Sequence, residues 1–311
     1  MAVRRGARPE TNRVLSPGQT YAGIDDEVNA PVLTHPRRTP AWWYVGFLIA
    51  LAGLAVYLGV VVYLIVQGIG IFGNNQPVAW ALPIINFVWW IGIGHAGTLI
   101  SAALLLFRQP WRTSINRFAE AMTIFAVVCA GLYPILHLGR PWLFYWLVPY
   151  PNTFGLWPQF RSPLDWDFFA IGTYFTISIV FWFVGLIPDL ATLRDRATNR
   201  GVKLFYAILS LGWNNSTKSW QRYMRAYLLL AAISFPLELS VHSTIAMDFA
   251  FAQVPGWNNT IMPPYFVAGA VFAGFAMVLL LAIPLRKAFG LEHMITMRHL
   301  DNSAKLMLGT G

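Results

Sequence analysis

The sequence predicts an all-α protein, a polytopic bundle of transmembrane helices with its N-terminus on the cytoplasmic side. Three observations carry that prediction. Of 311 residues, 57% are hydrophobic and only 11% are charged, a balance too apolar for a water-soluble domain. The apolar residues gather into six runs, each close to or above the roughly 20 residues that a helix needs to cross a hydrocarbon core. Of the 22 lysines and arginines, only Arg140 and Arg161 fall on one side of the implied bilayer. By the positive-inside rule that asymmetry puts the N-terminus in the cytoplasm.

Residues 1–40 are polar, rich in proline and glycine, and include Arg4, Arg5, Arg8 and Arg13. They show no apolar period and are expected to form an extended arm. The first long apolar stretch begins at Ala41 and is itself long enough to span, so no cleaved signal peptide is expected. The spans are placed near 41–67, 79–107, 118–137, 166–187, 222–250 and 262–285. The loops at 68–78, 138–165 and 251–261 then face outward. The loop at 138–165 holds five prolines and eight aromatic residues but almost no charge. Its Trp142, Trp146 and Trp157 suit the headgroup level of a bilayer, and the same segment suits a lid or a docking surface for an extramembrane partner. Gly201–Trp213 is amphipathic and is expected to lie flat on the cytoplasmic face. A similar polar and apolar pattern begins at Leu291.

Composition also excludes functions. The single cysteine, Cys129, rules out a disulfide framework within the chain, and with it a Cys-ligated zinc, iron–sulfur or c-type haem site. The net charge of +9 does not point to nucleic acid, because the basic residues sit in short loops between spans, where they set orientation.

Against this apolar background the ionisable residues near membrane depth stand out, since such groups are expensive there and mark functional sites. His137 ends the third span, and Asp165 with Asp167 opens the fourth; the hairpin between them brings all three to the outer interface. Glu238 and His242 are spaced i,i+4 on the fifth span, hence on one helical face, and Asp248 follows two turns later. The order reads as a polar path from mid-membrane to the outside. Oxidising a hydroquinone releases protons from hydroxyls with a pKa of about 10. An imidazole with a pKa of about 6.5, oriented by a carboxylate, is a suitable acceptor.

Each residue also has a plainer role. Asp165 and Asp167 follow Pro163, where acids favour a helix N-terminus. Glu238 lies beside Pro236 and can serve the backbone that proline frees. His137 suits an interfacial bond to a carbonyl, and His95, between Gly92 and Gly97, suits close helix packing. Two other classes fit the same residues. A b-type cytochrome would use His95, His137 or His242 as haem ligands, although two stacked haems need four. A secondary transporter would use helices broken at Pro83, Pro134 and Pro236. A Soret band would separate the haem protein from the others.

Five stretches carry a family resemblance: WWIGIGHAGTLIS at 89–101, YPILHLGRPWLFYW at 133–146, PNTFGLWPQFRSPLDWDFF at 151–169, LSVHSTIAMDFAF at 239–251 and PPYFVAGAVFAGFAM at 263–277. Together they resemble the NrfD-like, polysulfide-reductase-type membrane subunits, most closely the ActC subunits of bacterial alternative complex III. The resemblance implies a multi-pass subunit of a bacterial inner membrane that oxidises menaquinol or ubiquinol near the periplasmic face. Electrons would pass to a periplasmic iron–sulfur subunit and then to a multihaem cytochrome c subunit, with no haem or cluster in this chain. It puts His137, Asp165, His242 and Asp248 at the quinol pocket as catalytic residues and matches His95 to a histidine near the quinone. Tyr133, Arg140, Trp166 and Asp167 would complete the binding site, with Glu238 on a proton path. It further implies a peripheral helix at 41–67, a four-helix bundle with the quinol site at 79–250, and the start of a second, incomplete bundle at 262–311. ActC-type subunits have more spans than this chain, arranged as two such bundles.

Overall fold

Each of the six apolar runs forms a helix in the computed structural model, which describes residues 18, 20–34, 40–73, 81–136, 138, 140–147 and 162–311. Among these every regular element is helical: α1 (Tyr21–Thr34), α2 (Ala41–Gln67), α3 (Ala81–Leu106), α4 (Asn116–Leu136), α5 (Pro163–Arg196), α6 (Arg200–Leu209), α7 (Thr217–Ala250), α8 (Met262–Ala288) and α9 (Met297–Thr310). Short 3-10 turns at Ile69–Phe72, Pro110–Ser114 and Pro141–Leu147 join them. Helices α2, α3, α4, α5, α7 and α8 are long and apolar enough to cross a membrane.

Helix α3 is the axis of the bundle. In its most apolar stretch 72% of residues are buried, against 6% for α2, which stands outside the packing. Small residues let neighbours come close to α3. A side chain at Gly97 would collide with the carbonyl of Ala119 and the hydroxyl of Thr123 on α4, and one at Gly274 on α8 would collide with Ala96. Thr123 Oγ1 also donates to the carbonyl of Gly94 at 2.7 Å, tying α4 to α3. Three buried clusters line α3, the smallest joining its Ala102 to Phe181, Tyr227 and Ala231. One cluster, at its N-terminal half, joins Ile84, Phe87, Ile91, Tyr174, Val241 and Ile245. Another, at its C-terminal half, joins Ile93, Ile100, Leu104, Met122, Phe275 and Val278.

Three elements differ from the sequence expectation. The N-terminal arm is not extended throughout, because Tyr21–Thr34 is helical. Arg196, at the end of α5, holds that helix through Asp25 at 2.6 Å and Asp26 at 2.5 Å, partners about 170 residues away that no local pattern reveals. Helix α5 passes Pro188 and continues to Arg196 instead of ending at 187. The added turns are anchored by the 2.8 Å ion pair of Asp189 with Arg117 on α4. Helix α7 begins at Thr217, ahead of the expected 222, where the Ser216 hydroxyl accepts from the Ser219 amide. The amphipathic segment does form α6, capped by Asn199. Its Leu204, Phe205 and Ile208 are exposed, as on an interfacial helix. Helix α9 turns back along α8, bringing Gly311 against Phe272.

Candidate functional site

The bundle brings His95 of α3 together with Glu238 and His242 of α7. Nδ1 of His95 lies 3.3 Å from Oε2 of Glu238, and neither side chain has any exposed surface. The rings of His95 and His242 are 5.0 Å apart by centroid and tilted by 38°. Tyr174 of α5 closes the other side of His95, its ring centroid 5.6 Å away. His242 is 1% exposed, lies against Phe266 of α8 with ring centroids 6.1 Å apart, and has its Nδ1 buried without a partner among the described residues. The i,i+4 spacing of Glu238 and His242 puts them on one face of α7, and the close approach of α3 adds His95 to that face.

Toward the N-terminus of α5 the site continues as acids. Asp248 follows His242 by six residues, about 9 Å of helix rise. Its carboxyl meets that of Asp167 on α5 within hydrogen-bonding reach, and no other donor among the described residues serves either group. Two facing carboxyls can bond only if a proton sits between them. Asp165, in the first turn of α5, is 4% exposed, and its Oδ2 has no partner among the described residues. Both aspartates are buried, whereas charges that only serve a helix terminus are usually solvated.

The remaining predicted residues are more scattered. Tyr133 is half-buried against the cluster around Phe87 and Tyr174. Trp166 is half-buried and meets Phe251 edge-on at 5.9 Å. Arg140 is exposed. His137 lies outside the described residues, as does most of the aromatic loop after Leu147. Among the described residues no group of three or more His, Cys, Asp or Glu side chains is arranged to hold a metal.

A second buried polar layer, which sequence reasoning missed, lies further along the same bundle. Glu120 of α4 is 1% exposed. It accepts hydrogen bonds from Ser101, from Tyr227 at 2.8 Å and from Asn116 at 3.2 Å. Arg112 joins it at 3.4 Å while donating to the Tyr227 hydroxyl at 2.6 Å and to the Ser101 carbonyl at 2.8 Å. A signal is present in the sequence: Glu120 is the lone acid within an apolar run, and Tyr223 and Tyr227 share a face of α7 at i,i+4. Between the two layers sit Thr98, which donates to Ser178 at 3.3 Å, and the buried hydroxyl of Ser234.

Fold and site together define a polytopic helical membrane protein with imidazoles and carboxyls sealed between α3, α5 and α7. Comparison with known proteins gives the group. The NrfD family, described as polysulphide reductase, NrfD, matches residues 70–308. A provisionally named membrane subunit of a dimethyl sulfoxide reductase from Halobacterium salinarum is 28% identical over 262 residues, 83% of this chain and 55% of the relative. A selenate reductase subunit from Mesobacillus selenatarsenatis is 23% identical over 215 residues, 65% of this chain and 47% of the relative. The chain belongs to the NrfD polysulfide reductase family. It spans about half the length of the curated relatives it matches.

Proposed function

We propose that the chain is the quinol-binding membrane subunit of an oxidoreductase complex, of the kind found in alternative complex III. The observation that carries this reading is the sealed contact of His95 with Glu238 and His242, backed by facing Asp167 and Asp248. Buried polar atoms without donors are costly in a membrane protein. A hydroquinone supplies two hydroxyl donors, and its oxidation supplies two protons that such groups can take. Menaquinol or ubiquinol loses two protons and two electrons and leaves as the quinone. In this reading His242, held between His95 and Phe266, accepts the first proton on Nδ1, and the Asp167–Asp248 pair carries it toward the outer face with Asp165. His137 belongs to the same reading from its resemblance alone. The electrons pass to an iron–sulfur subunit on the periplasmic side and then to a multihaem cytochrome c.

The reading extends to proton translocation across a bacterial inner membrane with the N-terminus inside. Glu238 lies at the inner edge of the upper layer, and Thr98, Ser178 and Ser234 lie between it and the Glu120 layer. This near-continuous polar series favours proton transfer over a simple quinone cleft.

The test is steady-state turnover of the purified complex with a soluble quinol analogue. His242→Ala and Asp248→Asn should each lower quinol-dependent electron transfer by about a hundredfold, the lower end of general acid–base effects, while the complex keeps all its subunits. Full turnover in both variants would remove these residues from the chemistry.

A further inference from the structure

The end of the bundle opposite the buried acids carries the basic turns and contains a separate cavity of about 610 Å³ between the C-terminal end of α3 and α9. Its two walls differ in chemistry. Leu104, Phe107, Trp111 and Leu306 form an apolar wall, and Phe107, Met297 and Leu308 around it are exposed. Gln109, Arg298, His299, Asn302 and Lys305 supply the polar side.

That polar side is rich in donors. His299 is 3% exposed, and the Thr296 amide donates to its Nδ1 at 3.0 Å. The ring proton is therefore on Nε2, which is a donor. Burial, helped by the nearby Arg298 and Arg286, holds this imidazole below its ordinary pKa, so it is a neutral N–H donor near pH 7. Arg286 of α8 stands close behind His299, its Nη1 on the Met297 sulfur at 3.2 Å and its Nε without a partner among the described residues. Against these cations stands Asp301, which binds Lys305 at 2.6 Å on the exposed side of α9. The cluster of Arg286, Arg298 and Lys305 is left with excess positive charge.

We propose that this cavity is a headgroup site for an anionic phospholipid of the adjoining leaflet. The phosphodiester sits among Arg298, Lys305 and the Nε2–H of His299, and the acyl chains run along Leu104, Trp111 and Leu306. An arrangement of cations and amide donors beside an apolar wall at a span terminus fits a lipid better than a soluble anion, which would leave the apolar half wet. This site is independent of quinol chemistry. Bound lipid would brace α9 against α3, two helices joined here chiefly across the cavity.

The experiment follows the thermal unfolding midpoint of the detergent-purified protein, with whatever subunits accompany it. It is titrated with phosphatidylglycerol, phosphatidylcholine or sodium phosphate. Phosphatidylglycerol should raise the midpoint, and the other two should leave it unmoved. Lys305→Gln, an exposed change that does not threaten folding, should weaken the phosphatidylglycerol response about fivefold, and Arg298→Gln with Lys305→Gln about 30-fold, the expected effect of one and two interfacial cations. Asp301→Asn, which frees Lys305, should strengthen it. An equal response to phosphatidylcholine, an equal response to phosphate, or an unchanged response in Lys305→Gln would each overturn the proposal.

Discussion

Nδ1 of His95 and Oε2 of Glu238 stand 3.3 Å apart on different helices, with neither side chain reaching solvent. Only a shared proton makes a strong bond of such a pair, and its transfer changes the charge of the site. Glu238→Gln keeps the shape but cannot accept a proton. Quinol-dependent turnover of this variant should fall by about a hundredfold, while the unfolding midpoint stays within the range of a single net hydrogen bond, about 1 kcal/mol. Unchanged turnover would make the pair structural.

Asp167 and Asp248 face each other without another donor among the described residues. Replacing one by asparagine supplies the missing N–H and removes the need for a shared proton. Asp167→Asn should therefore raise thermal stability at neutral pH by about 1 kcal/mol and at the same time slow turnover. Stability measured by thermal unfolding and activity measured with a quinol analogue must move in opposite directions. A variant that is both less stable and fully active would contradict the pairing.

The spans are legible in the sequence because bilayer thickness sets the length of an apolar run, and the shared face of Glu238 and His242 is legible because helical period alone puts it there. His95 is ambiguous for a physical reason. Its glycine-rich surroundings signal close packing, and only the crossing of α3 with α7 decides that the histidine meets Glu238. Glu120 is masked in the sequence because Arg112 and Arg117 read as orientation charges, whereas Arg112 is 6% exposed and bonded inward. Helix α1 is hidden for the opposite reason: its acids find Arg196 only after the whole bundle has folded.

The Arg112–Glu120 layer predicts a double-variant pattern. Arg112→Met alone leaves Glu120 with Tyr227, Ser101, Asn116 and the half-exposed Arg117 at 3.6 Å, but without its buried cation. Since Arg117 still compensates part of the charge, that should destabilise the protein by up to about 3 kcal/mol, the low end for a broken buried pair. Adding Glu120→Leu should restore most of the loss, since an apolar pair of similar volume needs no charge compensation. Thermal unfolding of the two single variants and the double variant checks this; additive losses would show that the two groups act independently.

The α3–α4 contact depends on Gly97 more than on any general flexibility. A methyl group there would overlap the Ala119 carbonyl and the Thr123 hydroxyl, so α4 must shift away and take Thr123 from its bond to the Gly94 carbonyl. Gly97→Ala should lower stability by about 1–3 kcal/mol, the usual effect of overpacking. It should also depress turnover, because His95 lies two residues away on the same helix. Gly131 on α4 has open space around it. There the same substitution should be neutral or stabilising by up to about 1 kcal/mol through helix propensity. Comparing the two variants by thermal unfolding separates a packing requirement from a general intolerance of alanine. If both lose the same stability, the close approach at Gly97 is not what holds α3 to α4.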